Sequence, residues 1–164
     1  KVSVLTYISE NRESFYGWDE IYETSKLLPD IQFTVVGSNG KGLPSSENIS
    51  FRGWVTETEL NQLMAEHSIF VRLTEHDGKA ITVSQALSKG CEVIWTYPFD
   101  CCVLINKNSI ELKNSIESLS KQIETRNFKP NMDNIKFAEM SLLRKEVLTK
   151  YSSKLTELLN ENNN

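Results

Sequence analysis

The sequence has few cysteines, and their arrangement suits neither disulfides nor a metal site. Cys91, Cys101 and Cys102 make an odd count with two adjacent members, which is a poor basis for a framework of paired disulfides. No C-x-x-C pair occurs, and no histidine spacing offers a zinc site. We therefore expect reduced, buried cysteines in a cytoplasmic protein.

The chain also lacks long apolar runs and an excess of positive charge. No apolar stretch approaches the roughly 18 residues that a membrane-spanning helix needs. The 18 basic residues are outnumbered by 22 acidic ones, which gives a net charge of −4. Because nucleic-acid binding depends on neutralising phosphates, we do not expect broad binding to nucleic acid. With 39% hydrophobic residues among 164, the chain can bury a core, and we predict one domain over residues 1–164.

Short apolar runs alternate with amphipathic segments along the chain. Runs typical of buried strands occur at 2–7, 32–36, 49–51, 69–71, 91–95 and 101–105. Apolar residues at helical spacing predict helices at 18–28, from 56 onward, at 81–89, around 112–123 and, as a long last helix, at about 141–160. Since no hairpin signal occurs, we predict a doubly wound, Rossmann-like α/β domain with a parallel sheet and helices on both faces.

The central unit of the sequence lies at 69–94. An apolar strand at 69–71 leads into a polar loop at 74–79, and a short helix follows that ends at Gly90. Free backbone N–H groups and the positive end of the helix dipole meet at such a loop, which favours an anion. Open α/β sheets bind ligands at this edge. The unit therefore indicates a phosphate-bearing ligand.

A glycine-rich segment at 37–42 follows the second predicted strand. Its glycines stand at relative positions 1, 4 and 6, which fits neither GxxxxGK[ST] nor GxGxxG. We interpret the segment as a turn after a strand, with contact to a ligand as the alternative.

Three segments in fixed order carry a resemblance: VVG at 35–37, NISFRGWV at 48–55 and VRLTEHDGKAITVSQALSKGCEVI at 71–94. Together they resemble the C-terminal, nucleotide-sugar-binding domain of GT-B glycosyltransferases, in particular the retaining, family-4-like enzymes (glycosyl transferases group 1). That family's signature pairs an acidic residue and Gly with a Glu-Ala block that follows seven residues later. Here Asp77-Gly78 takes the first place and Gln85-Ala86 the second. The order of elements matches over roughly residues 1 to 125.

The resemblance implies a set of donor-binding residues. Asp77 would touch the sugar, the segment 79–82 the diphosphate and Gln85 the ribose, while Arg12 would reach the pyrophosphate. The base would pack near Trp54 and Val55. The implied donor site comprises Arg12, Asp77, Gly78, Lys79, Ala80, Ile81, Thr82 and Gln85. No catalytic residue is assigned.

Two positions depart from the family pattern. Gln85 replaces a carboxylate, and Tyr16 stands where a Lys to the pyrophosphate is expected. A carboxylate accepts from two ribose hydroxyls, whereas the amide of Gln has only one accepting oxygen. We expect weaker donor binding, by about 1–2 kcal/mol or roughly tenfold.

The resemblance implies the donor half of a glycosyltransferase, which acts on a nucleotide sugar such as a UDP- or GDP-sugar without a metal cofactor. We expect the N-terminal acceptor domain that the resemblance implies to lie outside this chain, and we expect the chain to bind donor without turnover. The acceptor would be a glycan or lipid-linked molecule, as in polysaccharide biosynthesis. We expect the full-length protein to be cytoplasmic and peripheral to the inner face of the membrane. The alternatives are a degenerate scaffold or regulatory domain, half of a sugar-nucleotide epimerase and, more distantly, a receiver-like domain.

Individual residues also keep simpler alternatives. Asp77 could be a solvated turn residue, and Gln85 could face solvent. Arg12 could form a surface ion pair, and Lys79 could serve solubility alone. Arg72 is unusual inside an apolar strand, and it could pair with a loop carboxylate or sit at the end of the sheet.

Overall fold

A computed structural model describes residues 1–78, 80–141, 152 and 154. In that part of the chain six strands form one sheet in the order β3-β2-β1-β4-β5-β6, and every pairing is parallel. The strands are β1 (Ser3–Tyr7), β2 (Gln32–Val36), β3 (Ile49–Phe51), β4 (Ile69–Arg72), β5 (Glu92–Trp95) and β6 (Cys102–Leu104). The predicted doubly wound parallel sheet is confirmed.

Helices cover both faces of the sheet. They are α1 (Trp18–Leu27), α2 (Glu57–Glu66), α3 (Ile81–Ser88), α4 (Ser109–Thr125) and α5 (Met132–Ser141). Helices α1 and α4 pack on one face, and α2, α3 and α5 pack on the other. Successive side chains of a strand point to opposite faces, so Val4 and Val71 enter one apolar cluster while Leu5 and Phe70 enter the other. None of the described helices is long and apolar enough to cross a membrane.

Local sequence signals set the ends of the helices that border the sheet edge. Helix α2 begins in a capping box, in which the Thr56 side chain accepts from the Glu59 amide and the Glu59 carboxylate accepts from the Thr56 amide. Helix α3 ends at Ser88, and Gly90, which follows the C-cap Lys89, has a φ of +76° and a position where a Cβ would lie 2.7 Å from Pro130 Cβ. Glycine is therefore required both for the backbone conformation and for the close approach.

One helix was not predicted. It is α5, which begins at Met132 and has its first amides, those of Asp133 and Asn134, capped by the Asn131 side chain. Of the last helix predicted at about 141–160, residues 142–151, 153 and 155–160 lie outside the described residues, so that prediction stays a prediction.

The expectation of buried cysteines is wrong for one of the three. All three are free thiols. Cys91 is buried, and burial raises its pKa to about 12. Cys102 is partly buried, but Cys101 is exposed because it lies in the turn before β6 with a φ of +62°. An adjacent pair at the start of an edge strand cannot bury both side chains on the same face.

Candidate functional site

The site is built at the carboxyl edge of the sheet, between β1 and β4. The chain continues from β1 to β2 and β3 on one side, and from β4 to β5 and β6 on the other. The loops that leave β1 and β4 therefore diverge, and open parallel sheets bind ligands in the crevice at such a switch point. The loop after β1, which carries Arg12, and the loop after β4, which carries Asp77, meet at this edge, where the Glu75 amide donates to the Phe15 carbonyl.

Arg72 and Asp77 form the polar centre of this edge. The Arg72 Nε donates to Asp77 Oδ2 at 2.5 Å, and its Nη1 lies 3.4 Å from Thr82 Oγ1. Thr74 Oγ1 donates to the same carboxylate oxygen at 3.1 Å, and the Gly78 amide donates to Oδ1 at 2.9 Å. Of the two alternatives for Arg72, the structure shows the pairing with a loop carboxylate.

These contacts keep the Asp77 carboxyl ionised. Its side chain is 13% exposed, so Asp77 is not a solvated turn residue. Partial burial opposes the charged form, but the hydrogen bond and positive charge of Arg72, with help from Thr74 and Gly78, outweigh it and lower the pKa of Asp77. An ionised carboxylate only accepts hydrogen bonds, and both of its oxygens are already engaged.

A cleft of about 450 Å³ opens beside this centre, bordered by the carboxyl ends of β1 and β2 and the starts of α2 and α3. Its lining residues are Tyr7, Val36, Gly37, Trp54, Val55, Glu57, Leu60, Ile81, Thr82 and Gln85. Five predicted site residues thus line the same cleft: Trp54, Val55, Ile81, Thr82 and Gln85. Within the described chain, Arg12, Asp77, Gly78 and Ala80 lie outside this lining. The predicted Lys79 lies outside the described residues.

Gln85 faces the cleft rather than bulk solvent. It lies on the second turn of α3, is partly buried, and its Nε2 donates to Glu57 Oε1 at 3.4 Å. Glu57 is the first residue of α2. The sequence alone did not single out Glu57, since its position reads as an ordinary helix start.

The loop after β1 presents aromatic rings and a cation. The Arg12 guanidinium lies 4.2 Å from the centroid of the Phe15 ring and forms a cation–π pair. Among the described residues it has no ion pair, which was the alternative to its expected contact with the pyrophosphate. The Tyr16 ring lies 5.3 Å from that of Tyr7 and 5.6 Å from the Arg72 guanidinium. Where the family pattern expects a Lys, the neighbouring cation therefore comes from the end of β4.

Lys107 joins the two loops across the edge. Its Nζ donates to the Ser14 carbonyl and lies 3.4 Å from Glu75 Oε1. The Glu75 amide donates to the Phe15 carbonyl at 3.2 Å, and the Phe15 and His76 rings lie 5.0 Å apart. No sequence signal identified Lys107, because it lies 32 residues beyond Glu75.

The sequence matches no family model, and no curated protein is similar to it. Solved structures do match. Anabaena HepE in complex with UDP and glucose has a TM-score of 0.71 and 14% identity over 94% of this chain and 48% of that one. The C-terminal domain of LpcC, a glycosyl transferase group 1 family protein from Francisella tularensis, has a TM-score of 0.66 and 17% identity over 86% of each chain. The pneumococcal O-GlcNAc transferase GtfA, in complex with UDP and GlcNAc, has a TM-score of 0.61 and 18% identity over 96% of this chain.

The sheet order, the helices on both faces and these matches together define a GT-B glycosyltransferase-like domain. The chain spans 48% of the length of HepE and 36% of that of GtfA. At these levels of identity the likeness establishes the fold.

Proposed function

We propose that this domain binds a nucleoside-diphosphate sugar and forms the donor half of a glycosyltransferase of the retaining, family-4-like type. The observation that carries the proposal is the single cleft that Gln85, Thr82 and the segment Trp54-Val55 all line. Its place at the sheet edge suits a nucleotide. The structural neighbours support the same donor class, since HepE was solved with UDP-glucose and GtfA with UDP and GlcNAc.

The start of α3 would receive the diphosphate. Its N-cap residue is Ala80, and no side chain caps the helix. The first amides of a helix have no intrahelical partner and carry the positive end of the dipole. The Arg72 guanidinium reaches Thr82 in the first turn of α3 and adds a cation there. These groups would stabilise the charge that develops on a departing nucleoside diphosphate.

The remaining residues take roles from the family resemblance. Gln85 would bind the ribose, Trp54 and Val55 would border the base, and Arg12 would reach the pyrophosphate. Asp77 would contact the sugar, and a sugar hydroxyl would then share a carboxylate oxygen with Arg72, Thr74 or Gly78. This proposal includes diphosphate binding by protein groups without a divalent cation.

The proposed reaction also needs parts outside this chain. Transfer to a glycan or to a membrane-associated, lipid-linked acceptor would require an N-terminal acceptor domain. The full-length protein would then work in the cytoplasm at the inner face of the membrane, in polysaccharide biosynthesis. The present chain would bind the donor without turning it over.

Calorimetric or NMR titration with UDP, GDP, ADP and their common sugar conjugates tests the proposal. We expect saturable binding by one base, unchanged by EDTA or added Mg²⁺, and weaker in Asp77→Ala and Arg12→Glu variants that keep the wild-type circular dichroism. A folded wild-type sample that shows neither heat nor shifts at millimolar ligand would contradict donor binding.

A second candidate is a non-catalytic domain kept as a scaffold or regulatory partner. Gln85 and Tyr16 favour it, because both remove charge that the family pattern places at the donor. The same titration separates the two candidates, since a scaffold has no need to select one nucleotide base.

A further inference from the structure

The cleft contains a carboxylate that does not come from the position where the family pattern places one. Position 85 on α3 carries a neutral amide, but Glu57 on α2 lines the same cleft. The two side chains are in contact, with 3.4 Å between Gln85 Nε2 and Glu57 Oε1. The negative charge missing from α3 is thus present at the same place, on a neighbouring helix.

The Glu57 side chain is not required for capping its own helix. The N-terminus of α2 is closed by Thr56 and Glu59, with Glu59 Oε2 lying 2.8 Å from both the amide and the hydroxyl oxygen of Thr56. An acidic residue in the first turn also interacts favourably with the helix dipole, but that effect does not depend on the direction of the side chain. Glu57 instead extends over the cleft to α3.

The contact sets which groups of the pair are free to bind a ligand. The Gln85 NH₂ group can only donate, and the Glu57 carboxylate can only accept. Because Nε2 is directed at Glu57, Gln85 Oε1 remains as an acceptor, and so does the second oxygen of Glu57. The pair offers two neighbouring acceptors, one of them charged, which suits the two donating hydroxyls of a ribose.

We propose that Glu57 is the residue that supplies the charged acceptor for the ribose 2′- and 3′-hydroxyls, with Gln85 as its neutral partner. This inference rests on the proposed binding of a nucleotide. It assigns selectivity for ribose over deoxyribose to a pair split between α2 and α3. In this assignment Gln85 completes the ribose site together with Glu57, so the Gln at position 85 does not mark the loss of that site.

The pair predicts an unusual response to a carboxylate at position 85. In a Gln85→Glu variant, two carboxylates would occupy the place of a donor and an acceptor, and like charges at that distance repel. Restoring the family residue alone would therefore not tighten binding. Exchanging the two residues, in Glu57→Gln/Gln85→Glu, would recreate one amide and one carboxylate.

The test measures, by calorimetry, the affinity for UDP and for 2′,3′-dideoxy-UDP, and likewise for GDP and ADP and their dideoxy forms. Five proteins are compared: wild type, Glu57→Gln, Gln85→Glu, the exchanged double variant and Glu66→Gln. Glu66 lies on the same helix and receives a hydrogen bond from Gln62, so Glu66→Gln is a control for the change in charge. We expect Glu57→Gln to lower affinity for the ribonucleotide about fivefold to tenfold and to leave the dideoxy form unchanged. Gln85→Glu should bind no tighter than wild type, the double variant should recover most of the loss, and Glu66→Gln should match wild type.

Two results would overturn the assignment while nucleotide binding stands. In one, Glu57→Gln discriminates ribose from dideoxyribose as wild type does. In the other, Gln85→Glu alone tightens binding. A wild-type protein that binds none of the nucleotides would overturn the proposed function itself, and with it this inference, before any variant is compared.

Discussion

The Arg72 Nε donates to the Asp77 carboxylate at 2.5 Å, and Nη1 of the same guanidinium lies 3.4 Å from Thr82 Oγ1. One side chain therefore joins the last residue of β4, the loop that follows it and the first turn of α3. Since the side chains of Arg72 and Asp77 are only 11% and 13% exposed, solvent screens this pair weakly. The contact therefore ties the end of β4 to the start of α3, where the proposed phosphate site lies.

Removing only the cation of this pair should cost more than removing both charges. An Arg72→Met variant leaves a largely buried carboxylate without its main partner, which we expect to lower the free energy of unfolding by about 1–3 kcal/mol. The Arg72→Met/Asp77→Asn double variant should lose less. Urea unfolding of both variants measures the difference.

The exposed pair between Lys26 and Glu23 is a matched control. A Lys26→Met variant should lower the free energy of unfolding far less than Arg72→Met does, because exposed ion pairs contribute little. If Arg72→Met and the Arg72→Met/Asp77→Asn double variant lowered the free energy of unfolding equally, the unpaired charge of Asp77 would not be the cause of the decrease.

Gly17 fixes the loop after β1 against the end of β4. Its φ is +75°, and a Cβ there would lie 2.6 Å from Leu73 Cβ, whereas Gly42 has a φ of +79° and open space around it. A Gly42→Ala variant should lose about 1 kcal/mol for the left-handed backbone alone. A Gly17→Ala variant should lose at least about 1 kcal/mol more, because the core beside Leu73 is overpacked. Chemical denaturation compares the two, and equal losses would show that Leu73 moves aside freely.

His67 should make stability depend on pH near neutrality. Its Nδ1 lies 2.7 Å from the Leu63 carbonyl, which can only accept, so Nδ1 carries the proton and Nε2 accepts from Thr34 Oγ1 at 2.8 Å. Burial lowers the pKa of His67 and outweighs the Leu63 carbonyl and Glu66, which favour the charged ring. Because the pKa is lower in the folded chain, the unfolded chain binds the proton at a higher pH than the folded chain does. The contribution of His67 to the free energy of unfolding is therefore fully present above about pH 6.5 and decreases as the pH drops below it.

The sequence contains two histidines, which provides a control. Urea unfolding at about pH 7.5 and 5.5 should give a lower free energy of unfolding at the acidic value for wild type. A His67→Gln variant should lose most of that difference, and a variant of the exposed His76 should keep it. An unchanged pH dependence in His67→Gln would assign the effect to other groups.

Trp54 offers a direct signal of ligand in the cleft. It is 81% exposed, whereas Trp18 and Trp95 are each 2% exposed. A base stacked on an aromatic side chain contributes about 1–3 kcal/mol, so Trp54→Ala should weaken nucleotide binding by about 1 kcal/mol or more. Nucleotide should also change the tryptophan fluorescence of wild type and leave that of Trp54→Phe nearly constant. The control is Ile110→Ala, at an exposed apolar position on α4, which should bind nucleotide as wild type does. If Trp54→Ala kept wild-type affinity, Trp54 would not stack on the base.

Patterns within single segments predicted most of the fold. The capping box at Thr56 and Glu59, the stop at Gly90 and the apolar stripe of α1 each depend on residues within one or two turns. Such interactions form between neighbours in the chain, so their spacing identifies them. The apolar pattern missed the start of α5, although its cap, Asn131, is a local signal; the same side chain also donates to Glu92 of a distant strand.

The sequence by itself determined the class of domain, the parallel order of strand and helix, and the segments that reach the sheet edge. Tertiary structure alone decided which side chains meet there. Glu57 and Gln85 are separated by 28 positions, and Lys107 and Ser14 by 93, so no local spacing could pair them. Their meeting depends on the crossovers that place α2 beside α3 and on the diverging loops after β1 and β4. The physical reason is that helix and strand signals come from near neighbours, whereas a binding site combines side chains brought together by packing.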